Sequence, residues 1–216
     1  MRYYGRIFVI FAGNVQNMLN FIKEYIRNRA IKDKKPLSKS VFLNMKDVRS
    51  VGFVYAVSAF TDMEELNKIV SGLTKWGIPF SGLVVEMKRG IFVKAGMGDG
   101  ESIDHPISGA EGVTFIENDY INWTGVPSSP KIDGFLKNQF DLFISFNHAV
   151  DFTLDYIVRS VEAKLIVGMR NSRYNTYSFV LEGENRTSLE CAEFLEQVSH
   201  YLNIIKSSSD LQQLNG

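Results

Sequence analysis

Two short runs that are apolar almost throughout, Phe140 to Phe146 and Leu165 to Gly168, bracket an amphipathic stretch from Asp151 to Val161. Strands that read as continuous apolar runs, without alternation, are those covered on both faces. Two such strands joined through a helix cannot close as a hairpin. They pair in parallel through a crossover, and that crossover is right-handed. This one segment therefore predicts an α/β protein whose sheet is sandwiched between helical layers.

The rest of the chain extends the pattern. Val51 to Val57 predicts the first strand, Gly82 to Glu86 the second and Val113 to Ile116 the third, with Phe140 to Phe146 the fourth and Lys164 to Gly168 the fifth. Thr176 to Leu181 alternates in polarity and predicts an antiparallel edge strand. Thr61-Asp62-Met63-Glu64 reads as a capping box opening a helix with Leu66, Ile69, Val70 and Leu73 on one stripe, closed by Gly77. Ser129-Pro130 supplies a cap and a first-turn proline to the next helix. Thr187-Ser188-Leu189-Glu190 reads as a second capping box, before a helix carrying Leu195, Val198 and Leu202.

The expected architecture is a single Rossmann-like three-layer domain with a mostly parallel sheet of five to six strands and an antiparallel edge strand. Its expected span is residues 18–206. Residues 1–17, with the apolar run Ile7 to Ala12 behind Arg2 and Arg6, read as a lead segment, disordered or preceding the true start; 207–216 read as a disordered tail. An insertion at about 87–112, glycine-rich from Gly96 to Gly100, reads as a long loop or an added hairpin around Gly90 to Val93.

Charge and composition narrow the function classes. Lys plus Arg and Asp plus Glu both total 24, so no overall field draws the chain to nucleic acid. The run Ile7 to Ala12 is too short to span a bilayer. Met18 to Lys35 forms a basic amphipathic helix, for which a solvated outer face is the commoner use and attachment to a membrane surface the rarer one. Cys191 is the sole cysteine, which excludes an internal disulfide or a cysteine-based zinc site and suits a reducing, cytoplasmic location.

No motif assigns chemistry. Gly96-x-Gly98-x-Gly100 lacks the last glycine of the dinucleotide fingerprint, no phosphate-loop Gly-Lys-Ser/Thr is present, and His105, His148 and His200 lack metal-ligand spacing. Cys191 has no basic partner nearby in sequence. Neither a cofactor nor a metal is expected, and no residue is nominated as catalytic. Position alone nominates candidates, because open α/β sheets bind ligands beyond the carboxyl ends of their strands. Those ends place Ser58 and Thr61 after the first strand, Asn147, His148 and Asp151 after the fourth, and Arg170, Asn171 and Arg173 after the fifth. Caps, turns and solvated ends account for each of these residues taken singly.

Three further landmarks are Phe115-Ile116-x-x-x-x-Ile121-Asn122-Trp123-x-Gly125-x-Pro127, Phe140-Asp141-Leu142-x-Ile144 and Tyr156-Ile157-x-x-Ser160-x-x-Ala163-Lys164-x-x-Val167-Gly168. Together, over Phe115 to Ile205, they resemble a family of small Bacteroidota proteins known only as a domain of unknown function. The resemblance implies the fold and brings no catalytic residue. The second landmark with Ala163-Lys164-x-x-Val167-Gly168 is also similar to the amino-terminal domain of heptosyltransferase-type glycosyltransferases. Those enzymes hold the nucleotide sugar largely with a second domain, for which this chain has no room. The expectation is a non-catalytic cytoplasmic domain binding a partner protein or small ligand. The alternative is a glycosyltransferase-like or nucleotide-handling enzyme with its site at the strand ends, His148 or Asp151 acting as base.

Overall fold

The apolar runs become strands and the stripes between them helices, in the order α1 (Tyr3–Lys32), β1 (Val51–Val57), α2 (Asp62–Lys75), β2 (Phe80–Glu86), α3 (Ile91–Lys94), β3 (Val113–Ile116), α4 (Pro130–Phe135), β4 (Gln139–Phe146), α5 (Phe152–Ser160), β5 (Glu162–Gly168), β6 (Phe179–Val180) and α6 (Cys191–Ile204). This computed structural model describes residues 3–34, 41, 43–94, 112–149, 151–170, 172, 174, 176–183 and 189–205, leaving aside the side chains of 3–15, 93 and 94.

The strands form one sheet in the order β3-β2-β1-β4-β5-β6, and every neighbouring pair is parallel. From β1 the chain winds outward through α2 to β2; from β4 it winds the other way through α5 to β5. Two right-handed crossovers running in opposite directions must place their helices on opposite faces. Accordingly α2 and α6 cover one face, over Phe53, Tyr55, Val84, Leu142, Ile144 and Phe146. Helices α4 and α5 cover the other, over Val54, Leu83, Phe143 and Ile166. Helix α1 lies outside the second layer: the Arg27 guanidinium sits 4.8 Å over the Phe152 ring and, just past the helix, the Lys34 ammonium 4.4 Å over the Tyr156 ring.

Three sheet glycines are roofed by aromatic rings. Phe53 covers Gly82, Phe140 and Phe143 cover Gly52, and Tyr177 covers Gly168. Gly77 closes α2 with φ at 65°, the left-handed turn a helix end favours.

Several sequence expectations need correction. The edge strand is parallel, not antiparallel. β6 pairs only with the last two residues of β5, Val167 with Phe179 and Gly168 with Val180, so the chain needs to loop back by very little and no helical crossover is required. Alternating polarity reports which face a residue takes and is silent on strand direction. Residues Ile91–Lys94 are a helical turn, not a hairpin, because the buried Glu86 carboxylate accepts from the Ile91 and Phe92 amides and gathers them into a turn. Thr61 is no capping-box cap: it is itself helical and makes no side-chain cap bond. Asp62 takes over the entry, its Oδ2 accepting from the Ser58 amide at 2.7 Å, the Ser58 hydroxyl at 3.1 Å and the Ala59 amide at 2.8 Å.

Helix α1 runs unbroken through Met18 from Tyr3. At the last helix the cap position is Glu190. Thr187, Ser188, the run from Gly96 to Gly100, His105 and the tail 207–216 lie outside the described residues.

Candidate functional site

The strand order reverses between β1 and β4, so their carboxyl ends open the crevice where such sheets take ligands. Val54 pairs with Ser145 and Tyr55 with Phe146, which brings Ser58 and His148 off adjacent strands at the same edge. Ser145 pairs with Gly168, so Arg170 leaves at that edge too.

The candidates nominated by position do not all converge. Arg170 and His148 do: an Arg170 Nη1 hydrogen donates to the His148 carbonyl at 3.2 Å. Ser58 is tied to Asp62, and Thr61 stands exposed beside it. Asn147 is buried, its Oδ1 accepting from the Ala149 amide at 3.1 Å in an Asx turn. Asp151 caps α5, Oδ1 accepting from the Leu154 amide at 3.1 Å. Asn171 and Arg173 lie outside the described residues. The side-chain groups of Ser58, Asn147 and Asp151 thus already make the bonds that shape the loops.

The fold supplies one partnership that spacing did not show. His148 Nε2 lies 3.5 Å from Cys191 Sγ, across 43 residues of sequence. The thiol is fully buried at the start of α6. Burial, and next to it the Glu65 carboxylate, push it up to about 12, so at neutral pH it stays protonated. A nucleophilic cysteine needs the opposite, a thiolate favoured by positive surroundings. Tyr55 belongs to the same buried group. Its hydroxyl donates to the Asp62 carbonyl at 3.2 Å, and burial, followed by Cys191 and the Asp62 and Glu65 carboxylates, drives its ionisation well above the ordinary tyrosine range.

A concave surface lies away from these strand ends. A groove of about 660 Å³ runs between α2 and α6, lined among others by Lys68, Ser71, Lys75, Trp76, Leu195 and His200. Gly72 lets the helices approach, since a Cβ there would meet Leu195 Cδ1 at 2.7 Å. Lys68 is held at 2.5 Å by Glu65, three residues before it on the same helix. His200 is exposed on this groove with its ring 5.8 Å from that of Tyr201. In sequence the α2 contribution reads as a solvated helix face, and nothing local couples it to residues on α6. Among the described residues no group of histidine, cysteine, aspartate or glutamate side chains could hold a metal ion, and no helix is long and apolar enough to cross a membrane.

Residues 103–205 match a family of unknown function (DUF6913), the stretch that contains the three landmark motifs from Phe115 onward. That match covers just under half of the chain. No curated protein matches. Among solved structures, the chain is similar to the crystal structure of the glycosyl transferase family 9 from Veillonella parvula DSM 2008, at 13% identity and a TM-score of 0.41, over 79% of this chain and 45% of that one. The chain thus spans less than half the length of that structure.

Proposed function

We propose that this chain is a cytoplasmic, non-catalytic binding domain whose ligand is a small anionic molecule with a flat apolar part, held in the groove between α2 and α6. The observation that carries this reading is the lining of that groove. Lys75 and His200 line it together with Lys68, which Glu65 already pairs, and with one lining carboxylate, Glu196, and Trp76, Leu195 and Ala192 supply apolar wall. A concave site with a largely apolar wall and a few polar groups is the usual form of a small-molecule site. The commitment of Ser58, Asn147 and Asp151 to turns and caps, and the protonated state of Cys191, support binding over catalysis.

The test uses 8-anilinonaphthalene-1-sulfonate, an anionic aromatic probe, in fluorescence titrations of the native protein. Lys75→Glu is expected to weaken binding and Ser71→Trp, which fills the groove, to abolish it, with circular dichroism unchanged. Absence of binding to the wild type, or equal binding by both variants, would refute the assignment.

A second reading keeps a nucleotide or sugar nucleotide at the strand ends, favoured by the approach of Arg170 to His148 at the point where the strand order reverses. Arginine suits it because its planar fork meets phosphate oxygens in pairs. A thermal-shift panel of nucleotides and sugar nucleotides that produces no stabilisation removes this reading.

A further inference from the structure

Helix α1 is fastened along one face only. Its Arg27 Nε donates to the Thr124 carbonyl at 2.6 Å, Glu24 pairs with the same guanidinium at 3.0 Å, and Ile31 is buried. The opposite face carries Met18, Phe21, Ile22 and Tyr25, at spacings of three, four and seven that place them on one stripe. These large apolar groups are bare: Met18 is 56% exposed, Phe21 74% and Tyr25 61%. Arg29 and Lys32 continue the same stripe toward the helix end. In sequence, the apolar run Ile7 to Ala12 lies upstream on the same helix.

We infer that this face of α1 is an attachment surface for an anionic membrane, the helix lying in the plane of the headgroups. Charge selects the occupant. Of the basic residues of α1, Arg29 and Lys32 lie on this stripe, whereas Arg27 is spent with Glu24 on the fastened face, and the whole chain is neutral. A second copy docking through this face would bring like charges together, whereas an anionic leaflet draws them in. The aromatics suit the boundary between headgroup and acyl chain, where an apolar ring body and a polar tip are both accommodated. This surface is separate from the groove between α2 and α6, so either can fail without the other.

The experiment is co-sedimentation of the full chain with large unilamellar vesicles, of phosphatidylcholine alone or with phosphatidylglycerol, at low and at high salt. Binding is expected only to the anionic vesicles and is expected to weaken with salt. Arg29→Glu/Lys32→Glu should lower the partition at least about 25-fold, taking each basic residue near an anionic surface as about fivefold, and further because the two added carboxylates are repelled. Phe21→Ser/Tyr25→Ser should lower it by at least about tenfold, from the apolar area no longer buried. Both pairs are on exposed positions, and melting curves check that the variants fold. Failure of the wild type to bind anionic vesicles, or equal binding to both lipid mixtures, overturns the proposal. So does a wild-type dimer in light scattering that Phe21→Ser/Tyr25→Ser converts to monomer without vesicle binding by the wild type.

Discussion

Substituting Gly82 by alanine tests the packing that sets the β1–β2 pairing inside the sheet. Gly82 faces Phe53 across that parallel pair, and the Phe53 ring lies flat over the space a Cβ would need. An added methyl would fall 2.8 Å from Phe53 Cε2 and nearer still to Cζ and Cε1, against about 3.5–4.0 Å for carbon atoms in contact. The ring must therefore move by the better part of an ångström or more. It has little freedom to do so, being fully buried with Phe146 edge-on at 6.0 Å and Phe80 tilted at 6.2 Å. Overpacking of this kind costs about 1–3 kcal/mol. Restricting the unfolded chain returns about 0.4–1 kcal/mol. The net expectation is a loss of about 1–2 kcal/mol, or roughly 2–8 °C in melting temperature for a domain of this size. Urea denaturation followed by circular dichroism measures it. The double variant Gly82→Ala/Phe53→Leu should be less destabilised than the sum of its single changes, because the smaller side chain makes room for the methyl. A Gly82→Ala protein as stable as the wild type, or strictly additive losses, would refute the steric account.

Two further outcomes follow from the buried ionisable groups. Cys191 and Tyr177, both pushed up to about 12 chiefly by burial, have folded-state values above their unfolded ones of about 8.5 and 10; their contribution is fully present below those unfolded values and is lost as pH rises toward 12. Urea stability should fall across that alkaline window, less steeply in Cys191→Ala, and at pH 8 iodoacetamide should label the folded thiol far more slowly than the unfolded one; equal labelling rates would contradict its burial. Asp141 behaves in the opposite sense. Partial burial pushes its carboxyl up, but the hydrogen bonds from Lys164 at 2.7 Å and from the Arg49 amide at 2.7 Å outweigh this and hold it below the usual value. That contribution is present above about pH 4 and is lost as pH falls through the depressed folded value. Asp141→Asn should cost about 1–2 kcal/mol at pH 7 and progressively less below pH 4; a pH-independent difference would show that charge is not what matters there.

Much of the sheet was legible because apolar runs of strand length bounded by turn residues have few other uses. Val51–Val57 and Val113–Ile116 fall where expected, and the parallel pairing of β4 with β5 follows from the helix between them. Local chemistry was less legible. Thr61 and Asp62 both suit a helix entry, and which one caps depends on where the Ser58 and Ala59 amides point after β1. The edge strand misled because two paired residues carry no directional signal.

The strand-end candidates were legible only as residues sharing an edge. The strand ends named His148 and Arg170, which do meet, together with Ser58, Asn147 and Asp151, whose side chains serve the loops. By itself the sequence determined the α/β class, the first five sheet strands and the edge on which Ser58, His148 and Arg170 emerge, because strand burial and crossover handedness depend on residues near one another in the chain. Only the tertiary structure decided that His148 lies against Cys191, that α2 and α6 enclose a groove, and that one face of α1 is bare. Those contacts join elements far apart in sequence, and hydrophobic patterning states that a helix has an inner face without stating what meets the outer one.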